Sequence, residues 1–418
     1  METFQLPWVQ ELAQLGAFES TLGGRRDSAY SVLRANGAYR IQTNGPVAAY
    51  QFSPLTYRSS AAPRSVMDYS YSNDASLLLP TRALTRRYIV STYVNQIIGG
   101  LPAFGGVNLG GFVAIVGTAD SESGTRVSVR LTARVYDPNN RRETIGPGVR
   151  QFTLNAGDVI QLVGAEAGQD LTGSVIEADA AVAVYVGNAC AQMPTRREAC
   201  DHVEEQLLPI ETWGRRYAVT AFRDRDASYR VRVVSARASN QLSFDGMLAP
   251  TECSTPLAAG AFCEFEANGN FVLTGTQPFL VTQYMVGQGA ALPECNWPAD
   301  PSNSPQCMGD PAQVTEIPVD QFRRAYDFLV PDTYARNFIN VVVPDGARVR
   351  MDGVAFSGAI EPIASGFQLI SAQIPAGRHH IEAVDESERI GIKIYGVAPY
   401  TSYAYPGGLD LARISPPG

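Results

Sequence analysis

The chain has 418 residues, 45% of them hydrophobic and 18% charged, with a formal net charge of −8. This length suggests about three domains with their own cores, and the apolar content excludes a disordered chain. The acidic balance excludes a general nucleic-acid or anionic-membrane partner, since either polyanion is repelled.

With 38 glycines and 27 prolines among many Val, Thr and Tyr residues, the composition favours strands broken by frequent turns. No run approaches the roughly 20 apolar residues of a membrane helix, so membrane insertion by this chain is not expected. The start, METFQLPWVQELAQLG, has neither the basic nor the apolar region of a signal peptide. The six cysteines fall into local couples, Cys190/Cys200, Cys253/Cys263 and Cys295/Cys307, none of them CxxC. Free buried thiols are one reading. Disulfides are the preferred one, each closing a loop worth roughly 2–3 kcal/mol and implying an oxidising compartment, with the export signal not in this chain.

In chain order, Met1–Leu22 has some helical spacing (Trp8, Leu12, Leu15), and a displaced strand fits as well. NGAYRIQTNGPVAAYQFSPL, from Asn36, reads as closing strands, so residues 1–75 are expected to be a truncated β module. Ser59–Ser76 and Ala290–Gln313 read as loops. Three segments then open alike: LPTRALTRRYIV from Leu79, LPIETWGRRYAV from Leu208 and IPVDQFRRAYDF from Ile317. In each, a proline (Pro80, Pro209, Pro318) stands eight positions before a tyrosine (Tyr88, Tyr217, Tyr326). Proline suits a strand entry because it donates no ladder hydrogen bond.

Each segment continues with two strand-like runs, from Phe112, Tyr229 and Asn337; in the last, Asp345-Gly346 predicts a hairpin. A short Ala-Gly turn follows (LNAGDVIQL, LAAGAFCEF, IPAGRHHIEA), and then an apolar closing strand from Asp179, Gln277 or Glu388. Four features in one order, three times over, predict β modules at 76–206, 207–311 and 312–418. The expected fold class is all-β: tandem β-sandwich-like modules, disulfide-stapled, with Trp213 and the three tyrosines packed near the joints.

The stretch DLTGSVIEADAAVAVYVGNACAQMP…ACDHVEEQLLPIETWGRRYAV, with Gly187-Asn188, Cys190, Cys200-Asp201-His202, Glu205-Gln206, Pro209 and Thr212-Trp213-Gly214, resembles the IgGFc-binding protein N-terminal domain family, notably its bacterial branch. TSYAYPGGLDL near the end is similar to that family too. The resemblance implies a secreted or surface-attached protein with a binding or adhesive role, often within a longer chain.

Cys190, Cys200 and His202 with Asp201 or Glu205 could surround zinc, but Cys-x9-Cys-x-His is an uncommon zinc spacing. A disulfide-closed loop with a solvated acidic face is the preferred reading. His379-His380 lies on a predicted strand, where neighbouring side chains face opposite ways and make a poor metal pair. No GxSxG, P-loop, Rossmann fingerprint or HExxH occurs, and GGLPAFGGVNLGG from Gly99 reads as a mobile loop. The repeated pairs Arg86-Arg87, Arg215-Arg216 and Arg323-Arg324 are candidate ligand contacts, a row to grip carboxylates or sulfated glycans. Structural pairing with acidic residues of the preceding linker, or simple exposure, is the plainer reading. No catalytic residue, metal or cofactor is assigned. The expected function is non-enzymatic binding or adhesion at the cell surface, to a protein or glycan. An exported carbohydrate-active enzyme, needing two carboxylates about 5–10 Å apart in a cleft, and a structural spacer are the alternatives.

Overall fold

A chain this rich in Val, Thr and Tyr, and so often broken by Gly or Pro, offers little to a long helix. The computed structural model describes residues 2–7, 9, 11–12, 30–53, 74–98, 107–121, 123–195, 200–223, 227–287, 308–399 and 401–416. Among these residues the regular elements are β-strands and single 3-10 turns, an all-β fold as the sequence predicts. Most of Met1–Leu22 lies outside them, as do Cys295 and Cys307. By compactness the chain groups into two units.

The first unit comprises Met1–Val47, Leu79–Ala191 and Gln206–Ile210. It is organised around the 17-residue strand Val175–Ala191. At one end this strand pairs with Thr85–Ile89 and Thr125–Leu131; from Val182 to Asn188 it pairs with Gly111–Gly117. The register of its ladder with Thr85–Ile89 shifts between Glu177 and Val182, so one strand serves both ends of the sheet. Gly111–Gly117 pairs with Val159–Val163, which pairs in turn with the edge strand Val32–Arg34. Along Thr125–Leu131, buried Val127, Val129 and Leu131 alternate with exposed Arg126 and Arg130, the two-residue period of a half-buried strand.

The second unit comprises Ala48–Leu78, Gln192–Glu205 and Glu211–Gly418. It contains two sandwich-like pairs of sheets. In the first pair, Arg216–Val219, Phe271–Gly275 and Leu242–Asp245 face the sheet of Phe262–Ala267, Tyr229–Ser235, Phe279–Met285 and Ala312–Thr315 across Tyr217, Val231, Phe265, Phe271 and Val281. In the second, Ala325–Val330, Gly377–Ala383, Val349–Met351 and Val354–Ala355 face Ala359–Ala364, Phe367–Gln373, Arg336–Pro344, Gly391–Ala398 and Thr401–Pro406. Its core includes Tyr326, Phe328, Ile339, Val341 and Ile394. The core of the first pair runs on into Phe338, Tyr395 and Val397 of the second, so the two share one apolar interior.

Each of Pro80, Pro209 and Pro318 is followed by one 3-10 turn (Thr81–Ala83, Ile210–Thr212, Val319–Gln321), and the strand begins only after it. The tyrosine eight places on then makes the same bridge each time. The Tyr88 hydroxyl accepts from Thr85 N–H at 3.1 Å and donates to the Val182 carbonyl at 2.9 Å. Tyr217 accepts from Gly214 N–H at 3.3 Å and donates to the Phe279 carbonyl at 2.5 Å. Tyr326 accepts from Arg323 N–H at 2.9 Å and donates to the Ile390 carbonyl at 2.6 Å. A buried phenol finds a partner for its hydroxyl, and here it ties the opening of a segment to its closing strand. Trp213 is 0% exposed, and its carbonyl accepts the Ser415 hydroxyl at 2.6 Å.

Several local readings change. Asp345-Gly346 is not the turn of a hairpin. Ala347 N–H bonds the Pro344 carbonyl at 3.0 Å and Gly346 has φ +78, but Arg336–Pro344 pairs with Phe367–Gln373 and Gly391–Ala398, whereas Val349–Met351 joins the facing sheet. The turn therefore carries the chain from one sheet to the other. The expected loops at 59–76 and 290–313 end in strands, Asp74–Leu78 and Ala312–Thr315. In the glycine-rich stretch from Gly99, Val107–Leu109 pairs with Gln96–Ile98, and residues 99–106 lie outside the described ones. Asn36–Thr43, read as strand-like, joins no ladder, leaving Tyr39 and Ile41 exposed. Cys190–Cys200 and Cys253–Cys263 are disulfides.

Candidate functional site

Exposure sorts the arginine pairs; Arg86-Arg87 lies within the strand Thr85–Ile89, where adjacent side chains leave on opposite faces, while the other two pairs stand at strand openings. Arg86, Arg215 and Arg323 are exposed, while Arg87, Arg216 and Arg324 are half-buried. Each half-buried member has a partner. Arg87 lies 3.4 Å from Glu177, and Arg324 donates to Glu382 at 3.0 Å. Arg216 donates to the Ser365 carbonyl at 2.8 Å with its guanidinium 4.9 Å from the Phe367 ring centroid. None of these partners is an acidic residue of a preceding linker: Glu177 and Glu382 lie in later strands, and Ser365 offers a carbonyl. Of the exposed members, Arg323 has its guanidinium 5.8 Å from the Tyr326 ring centroid.

The disulfide between Cys190 and Cys200 takes up both thiolates that zinc would need. The acidic run beside it is not a solvated face: Asp201, Glu204 and Glu205 are buried. What the sequence reading missed is the polar interior they join. The Asp74 carboxylate, wholly buried, accepts backbone N–H groups of Ala75 at 2.9 Å, Ala404 at 3.4 Å, Glu204 at 3.1 Å and Gln313 at 3.0 Å. Glu205 accepts from Thr315 N–H at 3.2 Å and the Ser76 hydroxyl at 3.1 Å. Burial pushes both carboxyls well above the usual carboxylate range, opposed at Asp74 by its amide donors. These are interior ties between strands. Two carboxylates sealed among backbone amides do not make the open cleft that glycoside hydrolysis requires.

A second buried polar group surrounds Lys393, 4% exposed. Its Nζ donates to Glu316 at 2.8 Å, to the Thr220 carbonyl at 2.9 Å and to Gln283 Oε1, and lies 4.8 Å from the Phe222 ring centroid. A cavity of about 20 Å³ adjoins it, lined in part by Thr220, Glu316, Asn340 and Lys393. That holds about one water and no sugar. His379 is buried against Phe328, with Nδ1 2.7 Å from Asp352, whereas His380 is exposed beside Asp327. The two rings face opposite ways.

The paired sheets, the disulfides and the buried polar interiors define the chain as an all-β, disulfide-stapled protein. Residues 74–396 match the family model described as IgGFc binding protein, and the chain belongs to that family. It is similar to the human protein named IgGFc-binding protein, 30% identical over 224 residues, which is 54% of this chain and 4% of that one. The chain thus spans a small fraction of that relative's length. Among solved structures, an anti-sigma factor domain-containing protein aligns over 68% of this chain and 97% of its own, at 10% identity and a TM-score of 0.14, too low to carry an argument.

Proposed function

We propose that this chain is a non-enzymatic binding and adhesion protein acting outside the cell or on its surface, with a protein or glycan ligand. The observation that carries this reading is family membership across residues 74–396. The human relative's name speaks of binding the Fc part of immunoglobulin G, and Fc is therefore the first ligand to try. Disulfides at Cys190–Cys200 and Cys253–Cys263 support an oxidising compartment. The tyrosine bridge made three times supports reading 76–206, 207–311 and 312–418 as copies of one module. Exposed Arg86, Arg215 and Arg323 are the side chains we assign to ligand contact, because a guanidinium grips carboxylate or sulfate with two parallel hydrogen bonds.

The test is capture by the oxidised, purified chain of antibody Fc and of mucin glycoproteins, with and without added salt. Capture of either class, weakened by salt and by the combined Arg86→Ala, Arg215→Ala and Arg323→Ala changes, is the expected result. Capture that ignores both salt and the substitutions removes the arginines from the site. Capture of neither class overturns the binding assignment for this stretch of chain.

A further inference from the structure

Lys393 is the only lysine among 33 lysines and arginines. Elsewhere the chain uses arginine, a side chain that never gives up its proton. The single lysine is instead placed in the interior, in the strand Gly391–Ala398. A buried ion pair alone gives weak reason for it, since the desolvation cost of such a pair often exceeds its attraction and apolar side chains of equal volume serve as well. Lysine differs from arginine in becoming a neutral amine nucleophile when desolvated.

Its neighbours suit that chemistry. Gln283, in Phe279–Met285, is 0% exposed, and its Oε1 accepts from Lys393 Nζ. Gln283 Nε2 and Lys393 Nζ both donate to the Thr220 carbonyl, each at 2.9 Å, so amine and carboxamide lie side by side. Glu316, with 10% of its side chain exposed, bonds the same Nζ. Burial lowers the ammonium's hold on its proton, with Glu316 opposing.

We propose that Lys393 and Gln283 join in an intramolecular isopeptide bond, with Glu316 transferring the proton. Glu316 first takes a proton from the Nζ ammonium, and the lone pair of the resulting amine attacks Gln283 Cδ once the amide has turned its face to it. Glu316 passes its proton to Nε2 and takes one from the attacking nitrogen. The Cδ–Nε2 bond breaks, and the departing ammonia takes the proton from Glu316 and leaves as ammonium, which restores the carboxylate. No oxidant, reductant or cofactor enters. The water-sized cavity beside Lys393 and Glu316 has room for the departing ammonia. The product ties a strand of one sheet pair to a strand of the other in the second unit.

Mass spectrometry of the full chain, reduced and denatured, tests this without needing a folded variant. The expected mass is one ammonia below the sequence mass, and digestion yields a branched peptide joining Lys393 to Gln283. An intact mass equal to the sequence mass overturns the proposal. So does an ammonia loss mapped to any other residue, including Asn340, the ladder partner of Lys393. Glu316→Gln keeps the side chain's shape; its mass is expected to return to the sequence value, and bond formation at the parental extent would strike out the role of Glu316.

Discussion

Replacing Tyr217 by Phe removes one oxygen and leaves the ring packing 4.8 Å from Phe279 intact. The hydroxyl links Gly214 N–H to the Phe279 carbonyl, both in the interior. Its loss leaves a donor and an acceptor unsatisfied, each at about 1–3 kcal/mol, so with partial relaxation we expect about 2–3 kcal/mol of destabilisation. Tyr326 makes the same bridge, but there Arg323 N–H also reaches the Ile390 carbonyl directly, at 3.2 Å. Deleting that hydroxyl orphans neither group, and Tyr326→Phe should cost about 1 kcal/mol. Urea unfolding of the oxidised proteins, followed by tryptophan and tyrosine fluorescence, measures both. Equal costs, or a Tyr217→Phe cost below about 0.5 kcal/mol, would refute the reasoning that the bridge is the sole link at one site and redundant at the other.

Trp213→Ala empties a fully buried indole site and should cost about 3–5 kcal/mol, read as a fall in the thermal midpoint; a near-neutral shift would contradict the packing described. Replacing Cys253 and Cys263 together by Ala removes a staple across a sequence separation of 10 and should cost about 2–3 kcal/mol in the same unfolding assay. Asp74 and Glu205 titrate above the usual carboxylate range in the folded chain, so the stability they contribute is full below the unfolded carboxylate pKa and is lost as pH rises through their folded values. Glu205→Gln should therefore flatten the decline in thermal midpoint from acid towards neutral pH, and an unchanged slope would count against that assignment.

The tyrosines at the segment openings could be found in the sequence because spacing is a local quantity, and each bridge closes within the segment that contains it. The paired arginines were half legible: at Arg86-Arg87 the two-residue period of a strand puts one member out and one in, but partners such as Glu177 and Glu382 belong to other strands. Asp345-Gly346 misled for the opposite reason. A turn dipeptide fixes how the chain bends, whereas hydrogen-bond competition across two sheets decides which strands pair. Asp201, Glu204 and Glu205 look in sequence like any solvated acidic run. Only the backbone donors brought from distant strands make such burial tolerable, and no local pattern reports them. Lys393 does carry a signal in the sequence, its solitude among arginines.

The short strand Val32–Arg34 covers the outer side of Val159–Val163, a run of five buried residues, with Leu33 opposite Ile160. Without it, that run would become an open apolar edge offering free amides and carbonyls to any extended chain. A protein shortened past residue 34 would then tend to add copies of itself strand by strand, and a peptide of sequence 30–36 would compete for the vacancy. Three residues thus move the sheet's edge from a run of five buried side chains to a short strand whose Leu33 and Arg34 are exposed.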